Sequence, residues 1–478
     1  MFSETPKLQP IVSQFGVRIL KDRQLSDLKQ ATLEVLEEVG IHCPSRKALE
    51  IYAAHGGVVD FEKEIVRLTA DIIMENLSHA PRSYMMGGRL PEFDLNIDGS
   101  ASYCATDGCG VETVDFKSGK RRQSCKEDVA NMARVADYLR SMGFYWPMVS
   151  AQDHPATAPL HELEASLSNT VKHVQTPTVV TERDARAAVE MAKVIAGDTV
   201  TMRERPPLSF LICTIAPLAQ DKDSMEAALV LAEAGLPVGF MSMALAGSTA
   251  PATIAGTMLV GDAEIVSALV LIQMAYPGAP VYYSLMPGIM HPRTGDFLGN
   301  SLGGDLFYSA GVELAHMWGV PTLAGVGAES TRSGWESAMG IAASMLLCAL
   351  SGAETMSGLG LREGCTLLTP ESLVLDHEIY NVVRAEAAGV NISPETLALD
   401  VIKAVGPKGH YLNLPHTREH LRKLEFSERV LTALVGEVDA IKFAKEKTAW
   451  ILENHFPQPL AEAQQTELRR IIQAVEQV

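Results

Sequence analysis

Positive charge is in short supply in this 478-residue sequence: 40 lysines and arginines stand against 58 aspartates and glutamates, a formal net charge of -18, with no long basic run to offset it. Such a surface repels polyanions, so neither nucleic acid nor an anionic membrane is an expected partner. A charged-then-apolar leader is also missing, since Met1 is followed by Phe2-Ser3-Glu4-Thr5. The seven cysteines (Cys43, Cys104, Cys109, Cys125, Cys213, Cys348 and Cys365) are an odd number in a long chain. Both features point to a reducing cytoplasm. The uncharged stretches 234–261 and 265–292 are long enough to raise the question of a membrane, but Pro237, Pro251, Pro277, Pro280, Pro287 and several glycines break them. Buried strand-then-helix units are the expected reading.

Several chemical signatures are absent. No G-x-G-x-x-G follows a strand, because Gly325-Val326-Gly327 and Gly358-Leu359-Gly360 lack the third glycine at the right spacing, so nicotinamide and flavin binding lose support. There is no G-x-x-x-x-G-K-[ST] and no H-E-x-x-H. Cys104 and Cys109 have no paired histidines at zinc-ligand spacing, and no metal is expected.

What is present is alternation. A helix is predicted over 26–39, with Ser26 as its cap and Gly40 as its stop, and two more helices lead to Ala80-Pro81. The glycine- and aspartate-rich segment 85–124 reads as hairpins turning at Asp98-Gly99, Asp107-Gly108 and Ser118-Gly119. From about Gly143, short apolar runs at 144–151, 176–181, 208–215, 238–245, 281–286, 322–327 and 355–360 alternate with helical patterns such as 160–170, 184–195, 223–234 and 334–350. That is the pattern of parallel strands with crossover helices, and 47% apolar content suffices for a core of this kind. The fold class is therefore α/β, a TIM-type β/α barrel over 141–393, with an N-terminal helical and β-hairpin extension over 1–140 and C-terminal helices over 394–478. Seven strands are readable and the eighth has no assigned place. Trp450 and Leu452 lie on an apolar stripe that reads as packing.

In order along the chain stand Val39-Gly40-Ile41, Ala53-Ala54-His55-Gly56-Gly57, Val66-Arg67-Leu68, Ala80-Pro81, Gly88-Arg89, Ala105-Thr106-Asp107-Gly108, Lys172-His173, Gly406-Pro407 and His416-Thr417. With these marks the chain resembles, nearly end to end, the trimethylamine methyltransferase family, and in particular its members that lack pyrrolysine and act on quaternary amines. The resemblance implies a barrel, a methylamine or betaine donor, and delivery of the methyl group to the cobalt(I) corrinoid (cobalamin) of a cognate protein. A D-x-H-x-x-G run of corrinoid-binding modules is missing here, so the cofactor would be carried by the partner and not bound permanently. Family members that use trimethylamine carry pyrrolysine, expected in the loop after the strand at 322–327. This chain has Gly327-Ala328-Glu329-Ser330-Thr331-Arg332 there, and no lysine between Val320 and Gly340. Quaternary amines, with glycine betaine first among them, are the donors this implies.

A quaternary nitrogen leaves as a neutral amine, so no general acid is needed and the protein's task is orientation and exclusion of water. A carboxylate held tight against the cation would stabilise the ground state more than the transition state, which favours an aromatic cage. Aromatics at strand ends or following loops are Tyr103, Tyr145, Trp146, Tyr282, Tyr283, Phe307 and Trp335. From these, Tyr103, Trp146, Tyr283, Phe307 and Trp335 are candidate substrate-binding residues, with core packing as the ordinary alternative for each. A betaine carboxylate would need Arg332, His173 or His377. Arg332 is equally read as an ion-pair partner of Glu329 or Glu336, and His173 as a strand-end hydrogen bonder. Asp107 and Glu329 are candidate orienting residues, Asp107 being equally read as a hairpin turn. Met241, Met243, Met286 and Met290 are read as core filling or as an adaptable lining. Two other readings stay open: a barrel lyase or aldolase with Lys172 forming a Schiff base, and a non-catalytic betaine-binding protein. The apolar content is compatible with a homo-oligomer.

Overall fold

The computed structural model describes residues 7–108, 110–116, 118–299, 304–327, 334–363, 366–423 and 439–477. Glu329 and Arg332 lie outside the described residues.

Eight parallel strands form the centre: β1 Tyr103–Thr106, β2 Met142–Tyr145, β3 His173–Thr176, β4 Leu208–Cys213, β5 Val238–Ser242, β6 Val281–Leu285, β7 Leu323–Gly325 and β8 Thr355–Leu359. Each pairs in parallel with its neighbours, β8 with β1, and a bridge from Tyr283 to Thr322 joins β6 to β7, so the sheet closes on itself. The barrel helices are α1 Lys126–Tyr138, α2 Ala158–Asn169, α3 Glu182–Ala196, α4 Lys222–Glu233, α5 Ile254–Ala275, α6 Gly304–Trp318, α7 Trp335–Ser351 and α8 Pro370–Ala387. The fold is the expected TIM-type β/α barrel.

The missing eighth strand is β1, which precedes the stretch read as barrel. Its four residues are all buried, but turn-forming pairs flank them, and a strand so short between Asp98-Gly99 and Asp107-Gly108 resembles one arm of a hairpin. Asp107-Gly108 is instead the exit from β1 to the barrel mouth. Two hairpins do form in this region. Tyr84–Met86 pairs with Leu95–Ile97, and Glu112–Val114 with Arg121–Gln123, the latter turning at Ser118-Gly119, where Asp115 accepts from the Ser118 N–H and Gly119 takes a φ of 67°.

The N-terminal extension has a physical purpose. Among the described residues α5 is the one helix long and apolar enough to cross a membrane, yet most of it is buried, because the extension covers the side that faces away from the barrel. Thr32, on the helix Asp22–Glu34, donates to Asp262 at 2.6 Å, and Tyr52, on Arg46–Ala54, donates to the Ser267 carbonyl at 2.9 Å. The first helix begins four residues before Ser26 and continues as a π-turn over Val35–Val39 to Gly40, whose φ of 83° and close approach to the Val66 carbonyl admit no side chain. At the other end of the chain Ala440–Asn454 packs on α8 and α1, with Trp450 edge-on to Tyr138 at 5.6 Å, and Glu462–Glu476 packs on α3 and α2.

Candidate functional site at the barrel mouth

Residues at one end of the barrel seal it. The hairpin Tyr84–Met86/Leu95–Ile97 inserts Met86, Leu95 and Ile97 into the interior beside Tyr103, Phe144 and Tyr282, and Tyr84 stacks on Tyr282 at 6.3 Å. Gly87 donates to the Pro206 carbonyl at 2.8 Å, and a Cβ on Gly87 would meet the Arg205 carbonyl at 2.7 Å.

Above this floor the hydrogen bonds fix one another. His173 Nδ1 lies 3.2 Å from the Gly87 carbonyl and 3.1 Å from that of Pro206; carbonyls only accept, so Nδ1 carries the proton. Burial holds the imidazole neutral by pushing its pKa down to about 4. Its Nε2 therefore accepts from Ser209 Oγ at 2.8 Å, and Ser209 Oγ accepts from Gln175 Nε2 at 3.2 Å. Tyr282 donates to the Phe210 carbonyl at 2.8 Å, leaving its oxygen to accept from Gln175 Nε2, also at 2.8 Å. Both amide protons of Gln175 are thus committed, its orientation is set, and its Oε1 is a buried acceptor without a partner among the described residues.

The C-terminal ends of the strands form the opposite end. Thr106 bridges β1 to β2 there: its hydroxyl accepts from the Trp146 N–H at 2.9 Å and donates to the Trp146 carbonyl at 2.6 Å. This locks Trp146 onto the inner wall, where its indole lies over Gly108. Next to it, Asp107 accepts from the Gly108 N–H at 2.7 Å and has no cation beside it among the described residues; desolvation pushes its carboxyl up to about 6. Across the mouth, desolvation also raises Asp305, in the first turn of α6, to about 6. Cys213, at the end of β4, is exposed, yet its thiol is pushed up to about 11 by desolvation. A group both exposed and desolvated lines a recess rather than an outer surface. Met243, just past β5, is exposed on the same side, and Met241 is buried in the interior cluster.

Of the residues expected from the sequence, the structure brings Asp107 and Trp146 together at this mouth. Tyr103 and His173 face the interior from the floor, at the far end. Tyr283 points outward, donating to Asp262 at 2.9 Å, and Phe307 is buried in the core outside the barrel. His377 lies on α8, 2.7 Å from Ser141 Oγ, held neutral by burial and then by Lys447, Arg140 and Lys172. Trp335 opens α7 on the rim and is 72% exposed. The expected cage of these rings is therefore not assembled: adjacent residues of a strand face opposite sides, and Tyr283 is outward where Tyr282 is inward. Lys172 precedes β3 at the sealed end, where its ammonium donates to the carbonyls of Ala136 at 2.8 Å and Leu139 at 2.7 Å. That geometry removes the Schiff-base reading, even though burial lowers its pKa to about 8. Gln175 was missed, and the interior alternation of β3 is the signal that marks it.

A separate cluster, His154, His161 and Glu476, has metal-ligand chemistry. The Lys126 ammonium, however, sits 2.9 Å from His161 Nδ1 and can only donate, so Nε2 carries the proton and donates to Glu476 at 3.0 Å. The lone pair that a metal would need is already used.

A closed β/α barrel, sealed by its own N-terminal hairpin and presenting at the C-terminal strand ends an indole and a carboxylate with no cation beside it among the described residues, defines a barrel protein of the enzyme type, with its site at that face. The family model described as trimethylamine methyltransferase (MTTB) matches residues 3–477. The chain belongs to that family and is a methyltransferase of its kind. It is 32% identical over 476 residues to a trimethylamine methyltransferase of Desulfitobacterium hafniense, covering 97% of this chain and 95% of that protein. It is also 30% identical over 416 residues to a glycine betaine methyltransferase of the same species, covering 85% of each. In fold it is similar to the monomethylamine methyltransferase of Methanosarcina barkeri, with a TM-score of 0.50, 15% identity, and coverage of 90% and 92% of the two chains.

Proposed function

We propose that the protein transfers a methyl group from a quaternary amine, glycine betaine in the first instance, to the cobalt(I) of a corrinoid carried by a partner protein. The cobalt(I) electron pair forms the bond to the methyl carbon, the carbon–nitrogen pair stays on nitrogen, and dimethylglycine departs neutral at its amine while cobalt becomes methyl-cobalt(III). The observation that carries this reading is the family match across the chain, combined with the absence of any lysine between Val320 and Gly340, where a pyrrolysine would be expected in users of trimethylamine. The glycine betaine relative supports the choice of donor.

The residues at the mouth suit the chemistry. The Trp146 ring offers a cationic methylammonium about 0.5–2 kcal/mol. Asp107 is a carboxylate with no cation beside it among the described residues, and a bound cation relieves its desolvation, which orients the donor at the opening. Met241 and Cys213 line the recess with soft, weakly polar groups that keep water from the reacting carbon. Cobalt(I) persists only under reducing conditions, which supports a cytoplasmic setting.

The test is anaerobic mixing of the protein with cobalt(I) cobalamin and a panel of quaternary amines and trimethylamine, following methyl-cobalt(III) by absorbance. Methylation by one betaine and not by trimethylamine is the expected result. No methylation by any donor, with a corrinoid protein also supplied, overturns the reading.

A further inference from the structure

The relay beneath the mouth leaves one buried oxygen over. Gln175 is 1% exposed, its two amide protons go to Ser209 and Tyr282, and its Oε1 has no partner among the described residues. A buried acceptor left in that state costs about 1–3 kcal/mol. Turning the amide over does not relieve it. Ser209 and Tyr282 already give their protons to His173 and to the Phe210 carbonyl, so each has only lone pairs to offer. The place of Gln175 along its strand is also fixed. His173, two residues earlier, reaches the floor carbonyls of Gly87 and Pro206, so Gln175 shares its inner face about 6–7 Å nearer the mouth. On the adjoining strand, the pairs Phe144 with His173 and Tyr145 with Val174 continue by one step to set Trp146 beside Gln175. An unsatisfied oxygen thus stands level with the ring at the mouth, between the floor and Asp107.

From this we infer that Gln175 Oε1 is the group that reads the positive charge of the methyl donor: the inner methyls of the quaternary nitrogen rest on it, while the methyl to be transferred faces the mouth. The inference rests on the reading of the reaction given above and names a residue that sets its specificity. A quaternary nitrogen has no proton to donate, and its charge is spread over the hydrogens of its methyl groups. A carbonyl oxygen meets them through C–H···O contacts worth about 0.5–1 kcal/mol each. An amide suits this place better than a carboxylate, because a neutral oxygen holds the cation without sinking the ground state far below the transition state. Ser209 and Tyr282 hold the amide in one orientation, so the oxygen needs no rearrangement when the donor arrives.

The test sets glycine betaine against 3,3-dimethylbutanoate, which has the same shape and carboxylate with carbon in place of the charged nitrogen. Isothermal titration calorimetry measures both on the wild type and on Gln175→Met, with no corrinoid present. The variant keeps the length of the side chain, and every remaining donor of the relay keeps its acceptor, since Ser209 still donates to His173 and Tyr282 to the Phe210 carbonyl. Glycine betaine is expected to bind the variant roughly 10-fold more weakly, the sum of two or three such contacts, while the isostere changes by less than about twofold. In the methyl-cobalt assay the KM for glycine betaine should rise by the same factor with kcat within about twofold, because the charge that the oxygen reads is disappearing in the transition state. If the isostere binds too weakly to measure, this split of KM from kcat decides. Equal weakening of both ligands makes Gln175 a support of the barrel wall and overturns the inference. So does an unchanged affinity for glycine betaine, or a fall in kcat with KM untouched. If the wild type binds neither glycine betaine nor any other quaternary amine, the reading of the donor falls first and this inference falls with it.

Discussion

Trp146 Nε1 occupies the space that a side chain on Gly108 would need, 2.0 Å from an ideal Cβ. The glycine after Asp107 is thus the condition for the indole to lie across the mouth, with Thr106 fixing the backbone from the other side. Gly108→Ala is expected to displace the ring and cost about 1–3 kcal/mol of stability through overpacking. Because it also misplaces the binding surface, kcat/KM for the amine should fall roughly 100-fold. Thermal unfolding and the methyl-cobalt assay measure the two effects. Loss of stability with an unchanged KM would remove Trp146 from the site.

Asp107 makes a prediction in pH. Its carboxyl is held up to about 6 in the fold, against about 3.9 in an unfolded chain. A carboxyl raised on folding disfavours the folded state when charged, so stability declines as pH rises from about 4 through about 6 and is level above. Asp107→Asn is expected to be more stable than the wild type at pH 7, and the gain should vanish below about pH 4. Amine methylation should rise with pH through about 6 in the wild type and lose that limb in the variant. A pH–rate profile identical in both proteins would show that the carboxylate takes no part.

The fold was legible in the sequence further than the site was. β4 to β8 announced themselves because each is an apolar run followed by a helical repeat. The run at 144–151, by contrast, overlaps β2 only at Phe144 and Tyr145, and the run at 176–181 meets β3 only at Thr176, since the polar His173 and Gln175 break the apolar pattern of that strand. β1 did not announce itself, because four residues between two Asp-Gly pairs carry too little pattern to separate a barrel strand from a hairpin arm. The cage failed for a different reason. Strands buried on both faces are apolar on both faces, so Tyr282 and Tyr283 look alike until the register assigns one to the interior and the other to Asp262. Asp107 and Trp146 stand out in the sequence only by residue type, an aspartate at a turn and an aromatic in the run 144–151, and it is the structure that places them just past the ends of β1 and β2.

The relay beneath the mouth can be broken at one atom. Ser209→Ala removes the donor to His173 Nε2 and one acceptor of Gln175, leaving a buried imidazole nitrogen without a partner. An unsatisfied buried group costs about 1–3 kcal/mol, so the midpoint of denaturant unfolding should fall accordingly. With the amide of Gln175 now free to turn, the KM for the amine should rise while the acceptor's KM does not. Unchanged stability would mean that the imidazole is not held as described.

Cys213 offers a test that reports on the recess itself. The residue is exposed, and an exposed thiol in open water would be labelled quickly, yet desolvation holds this one up to about 11. At pH 8 its thiolate fraction is then roughly two orders of magnitude below that of an ordinary cysteine with a pKa of about 8.5. Iodoacetamide labelling, read on the Cys213 peptide by mass spectrometry, is therefore expected to be slow at pH 8 and to climb about tenfold per pH unit up to pH 10. Glycine betaine should slow it further by filling the recess, whereas sodium acetate at the same concentration should not. The buried Cys43, Cys104 and Cys348 serve as internal controls that label only on unfolding. If Cys213 reacts at the ordinary rate and betaine leaves that rate untouched, the thiol faces bulk solvent, and the donor does not bind on the β4 side of the mouth.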